Sequence, residues 1–95
     1  MPQFTPQTGQ VTVGTSPVQL SATSVPITLG VDLHCMVANG GTVLFGFNDG
    51  ITASTAHEIG AGGADEFIPA LLVSDLSQIW LIASQAGQVV SFLAM

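Results

Sequence analysis

Apolar and polar residues alternate along most of this chain. The clearest run is Leu29–Ala38. Leu29, Val31, Leu33, Cys35 and Val37 fall on one face, and Gly30, Asp32, His34, Met36 and Ala38 on the other. A period of two marks a strand with one face buried. Gln10–Val13 and Pro17–Leu20 alternate in the same way, and Thr42–Asn48 places Val43, Phe45 and Phe47 together. Glu66–Ile68, Leu71–Val73, Gln78–Ser84 and Val89–Ala94 complete the set. Asn39-Gly40-Gly41 reads as a hairpin turn, because its central positions tolerate positive φ. Gln85–Gln88 reads as a second hairpin loop, and Asn48-Asp49-Gly50 as a further turn. Ile51–Ala64 reads as one long polar loop.

No segment fits a helical period. The best candidate, Phe67–Leu76, carries Pro69 within its first turn, where a missing N–H and a ring clash oppose a helix. Seven or eight short strands at roughly 8–12-residue spacing predict an all-β fold, a two-sheet antiparallel β-sandwich. Pro2 and Pro6 set residues 1–9 apart as an extended N-terminal arm. That arm is either a loose tail or a strap on a neighbouring subunit anchored by Phe4. Residues 10–95 form the single domain.

Composition narrows the function. The 95 residues include no Lys or Arg and six Asp or Glu, a formal net charge of −6. Phosphate contacts to nucleic acid need cationic side chains, so nucleic acid is excluded as a partner. An anionic membrane surface is excluded on the same ground. No apolar stretch is long enough for a spanning helix, and the N-terminus has no signal-peptide pattern. Polarity comes instead from Thr, Ser and Gln, 24 in all.

Candidate chemistry is sparse. Cys35 and His34 are adjacent, so on a strand they face opposite ways and cannot act as a nucleophile–base pair. Asp32 and His34 share a face and are the start of a metal site, with His57 or Glu58 as further ligands, but nothing in the sequence brings a third ligand to them. Asp65-Glu66, at a strand start, reads as edge charge that discourages aggregation, or as a contact for a basic partner. The sequence therefore predicts no enzyme, no metal and no cofactor.

The C-terminal strands are apolar on both sides. Ile79 and Leu81 oppose Trp80 and Ile82, and Val89 and Leu93 oppose Val90 and Phe92. A sandwich strand needs only one apolar face. If the two strands pair through Gln85–Gln88, then Trp80, Ile82, Val90 and Phe92 make one patch, which is the expected oligomer interface. The other reading is that the long loop folds over the second face.

The segments VTVGTSPVQL, GVDLHC, GTVLFGF and LSQIWLIASQAGQVVSFLA resemble small virion proteins of tailed bacteriophages, of the capsid decoration or cement type and the related head-fibre modules. The resemblance spans residues 10–94. It implies a jelly-roll-like sandwich, a homotrimer on the outer capsid surface of the virion, the major capsid protein as partner, and no active site. Phe4, Asp65 and Glu66 are the expected partner contacts. The chain departs from that pattern in having no Lys or Arg. A second function, a fibre or adhesion module for host-surface glycan, would use the long loop Ile51–Ala64 with Asn48, Asp49, His57 and Glu58, and Trp80 as the aromatic platform.

Overall fold

A computed structural model describes residues 6–95. It contains eight strands: β1 Gln7–Val13, β2 Val18–Gln19, β3 Gly30–Cys35, β4 Val43–Gly46, β5 His57–Gly60, β6 Asp65–Pro69, β7 Trp80–Ala83 and β8 Gln88–Ala94. A single 3₁₀ turn, Leu76–Gln78, precedes β7. The strands form two four-stranded antiparallel sheets, ordered β1-β8-β3-β6 and β2-β7-β4-β5. The fold is an antiparallel β-sandwich, as the sequence predicts. The first strand pairs with the eighth, the second with the seventh, the third with the sixth and the fourth with the fifth.

The core follows the period-two pattern. Val31, Leu33 and Cys35 of β3 point inward with Val13, Ile68, Val90 and Ala94 from the same sheet. They meet Val43, Phe45, Leu81 and Ala83 of the facing sheet, while Leu20, Ile27, Val73, Leu76 and Ile79 also join the cluster. Each such side chain contributes about 1.5–3 kcal/mol on full burial. The alternation stops at the strand ends. Leu29, Val37 and Phe47, expected on buried faces, are exposed, because each lies outside its ladder.

Several local expectations are corrected. Asn39-Gly40-Gly41 is not a hairpin, since β3 and β4 belong to different sheets. It is an arch across the sandwich, and side chains hold its ends. Asn39 exchanges two hydrogen bonds with the Val89 backbone, both at 2.9 Å, as a neighbouring strand residue would. Buried Gln88 accepts the Gly41 N–H at 2.8 Å. Gln85–Gln88 is likewise an arch: β7 and β8 lie in opposite sheets and do not pair. Their inner faces meet across the core.

β1 starts at Gln7, inside the segment expected to be an arm. Leu71–Val73 is a turn, and β5 lies within the expected long loop. The rest of that loop covers the second sheet. Ile51 packs on Leu44 and Ile82, with Trp80 and Ala56 beside them. Ile51 sits directly over Gly46, where an added Cβ would lie 2.3 Å from the Ile51 Cγ2. Glycine is therefore required at 46.

Candidate functional site

The outer face of the β1-β8-β3-β6 sheet carries a cluster of three ionisable groups, Asp32, His34 and Asp65. Pairing across the four strands sets two rows on it. Thr8, Leu93, Asp32 and Phe67 form one row, and Gln10, Ser91, His34 and Asp65 the next. Asp32 and His34 are the outward residues of β3, so the alternation that buries Val31, Leu33 and Cys35 also aims these two away from the core. The His34 Nδ1 donates to Asp65 Oδ1 at 2.7 Å. Asp32 sits between Leu93 and Phe67 in its row. Partial burial raises its carboxyl above the ordinary value, the nearby Asp65 charge adds to this, and His34 offsets part of it. Among the described residues nothing donates a hydrogen bond to Asp32. Thr8, Gly9, Gln10, Asp32, His34, Ser91, Phe92 and Leu93 line a shallow depression of about 320 Å³ here.

Apolar side chains frame these polar groups. Leu93 is 38% exposed, Phe67 48%, Leu29 53%, Leu72 65% and Leu71 94%, all on this sheet or on the segments that extend it. The Phe67 ring lies over Gly30, where a Cβ would come within 2.5 Å of it. Leu29 accepts the Ala70 N–H at 3.0 Å, which sets it beside the Leu71–Leu72 turn. Contiguous exposed apolar residues rimmed by polar ones mark contact surfaces. The depression is open and shallow, so the arrangement suits contact with another surface more than enclosure of a small molecule.

The residues expected to form an oligomer interface are dispersed. Val90 is fully buried in the core, and Phe92 points inward at its margin. Trp80 and Ile82 are on the opposite sheet, under Ile51. The four make no common face, because β7 and β8 do not pair. The covering of Trp80 and Ile82 by the 51–56 segment is the other reading of the two-sided strand.

Of the expected partner contacts, Phe4 lies outside the described residues. Asp65 joins His34 on the outer face. Glu66 points to the other side of β6, with its Oε1 4.0 Å from His57 Nε2 on β5. His57 and Glu58 are on the edge strand of the second sheet, away from Asp32 and His34. Among the described residues no group of three His, Cys, Asp or Glu is placed to hold a metal ion. Cys35 is buried, and burial together with the Asp65 charge raises its thiol pKa. Trp80 is a partly buried strand residue packed on the smaller cluster, and the Asn48 Oδ1 accepts the Gly50 N–H in its own turn.

Phe67, Leu71 and Leu72 were not singled out by sequence reasoning. The available signal was a Leu-Leu pair after Pro69, where two adjacent apolar residues cannot both face one core. No protein-family model, curated protein or solved structure compared with this chain matches it.

Proposed function

We propose that the chain is a non-catalytic attachment protein of a virion, a capsid decoration or cement protein that docks on the major capsid protein through the outer face of the β1-β8-β3-β6 sheet. The single observation that carries this reading is that face itself, with Asp32, His34 and Asp65 framed by exposed Phe67, Leu93, Leu29, Leu71 and Leu72. The strand order supports reading the sandwich as a jelly roll. Pairing of first with eighth and second with seventh, through to fourth with fifth, is the connectivity of one long hairpin rolled on itself.

Cementing works by linkage. A protein that binds only the closed shell lowers the free energy of that state by its binding free energy. The apolar frame supplies area, and the carboxylates supply complementarity to a basic rim on the partner. With no Lys or Arg in the chain, those carboxylates have only histidines as cationic side-chain partners within it. The association is therefore weakened by salt.

Stripping the chain from purified particles and adding it back tests this. Stripped shells open at a lower temperature, and restored ones recover. Shells that open at one temperature with and without the chain contradict the proposal.

A further inference from the structure

The sandwich has four edge strands, and three of them carry features that discourage pairing with another chain. β6 presents Asp65, Glu66 and Pro69. β5 carries Glu58, and its register against β4 shifts between Val43 and Leu44. β2 is only two residues long. Charges, proline, irregular register and short length are the usual means by which sheet edges avoid association.

β1 has none of them. It runs for seven residues, QTGQVTV, with no charge and no proline. All seven pair with β8 in unbroken register, and among the described residues no strand lies on its other side. We propose that β1 is an assembly edge, and that its occupant is β1 of a second copy of this chain, paired antiparallel about a twofold axis at Gln10.

Charge selects the second copy and selects this edge. A chain of net charge −6 with no Lys or Arg meets carboxylates wherever it meets itself. Self-pairing through β6 or β5 brings the Asp65 and Glu66, or the Glu58, of both copies into one short joint. Self-pairing through β1 brings none, because β1 holds no Asp or Glu. The strand also fits itself. The one register that uses its whole length places Gln7 opposite Val13, Thr8 opposite Thr12, Gly9 opposite Val11 and Gln10 opposite Gln10. Thr–Thr pairs and paired glutamines hydrogen-bond favourably across strands.

The inner face gains as well. Val11 and Phe92 are partly buried at the core margin. The Phe92 ring lies over Gly9, where a Cβ would come within 2.7 Å of it, so the ring sits at the open edge of the sheet. In the proposed register the second copy's Val11 lies opposite Gly9 and covers that margin. Antiparallel pairing keeps equivalent faces on one side of a joined sheet. The two outer faces then point the same way, and a surface with repeating sites is engaged twice, which raises avidity without new contacts.

Gln10 is exposed, so charge can be placed at the axis without disturbing the core. The test is sedimentation of the full chain, of Gln10→Glu, of Gln10→Lys and of their equimolar mixture. The wild type sediments as a dimer. Each variant alone pairs about fivefold more weakly, because like charges meet directly across the strands, and the mixture recovers a mixed dimer. Concentration-dependent hydrogen exchange of the β1 amides that point away from β8 gives a second reading on the unmodified chain: their protection rises with concentration. A wild-type monomer at up to about 1 mM, a concentration that reveals even millimolar affinity, overturns the proposal. So does a dimer indifferent to the charge at position 10. Protection at every concentration, in a monomer, of the β1 amides that point away from β8 also overturns it, because the edge is then covered from within the chain.

Discussion

Asp75 accepts hydrogen bonds from the Val25 N–H at 3.0 Å, the Ser77 N–H at 2.9 Å and the Ser77 hydroxyl at 2.8 Å, and also from the Ser24 hydroxyl. It thereby caps the 3₁₀ turn and ties the 24–26 connection to the segment before β7. These donors, Ser24 first, hold its carboxyl well below the ordinary value of 3.8. The ionised form is favoured by folding. Its contribution is present above the unfolded value and is lost as pH falls through the lower folded one. Asp32 acts in the opposite sense, since its raised pKa means that protonation favours the folded state. The wild type is therefore expected to lose stability below about pH 4, with Asp75 as a source of that loss. Urea midpoints across that range, measured for the wild type and Asp75→Ala, check this. The variant is less stable at neutral pH and loses less on acidification. An unchanged acid slope contradicts the assignment.

The 48–56 segment shows how one element completes another. Strand β7 is apolar on both sides, and its outer side is closed by Ile51 over Gly46, Leu44 and Ile82. Side-chain bonds among Thr52, Ser54 and Thr55 shape the segment that carries Ile51. Ile51→Ala removes the centre of this smaller cluster and leaves Ile82 and Trp80 uncovered. It costs about 2–4 kcal/mol, read as a lowered urea midpoint with greater binding of an apolar dye. A change below about 0.5 kcal/mol, the usual surface effect, shows that the segment is not a structural cover.

The same element explains what the sequence could not settle. Alternation identified β3, β7 and β8 and the faces of Val31, Leu33, Ile79 and Leu81, because period two depends only on neighbouring residues, but it set Val90 on the outer patch although that side of β8 faces the core. It also placed Asp32 and His34 together on an outer face. Which strands pair is a long-range matter. Asn-Gly-Gly and Gln-Ala-Gly-Gln are turn sequences whether the chain reverses within a sheet or crosses between sheets. The crossing is fixed by Asn39 bonding to Val89 and Gln88 to Gly41, contacts with no local pattern. β5 escaped notice because it is an edge strand with one large apolar residue, Ile59. The apolar frame of Phe67, Leu71 and Leu72 escaped notice because apolar residues near a strand are first assigned to the core.

At the scale of the whole molecule, the sandwich keeps its two sheets unequal. The β2-β7-β4-β5 sheet is closed outside by the chain's own 51–56 segment, whereas the β1-β8-β3-β6 sheet leaves its outer face to solvent. The exposed carboxylates and apolar side chains on that second face are what the proposed attachment role uses. Electron cryomicroscopy of purified particles carrying this chain tests that role most directly. The account predicts density for the sandwich on the shell exterior, with the outer face of the β1-β8-β3-β6 sheet against the capsid protein and Phe67 and Leu93 inside the contact. Particles without the chain, or a chain seated through the 51–56 segment with Phe67 and Leu93 facing solvent, would contradict it.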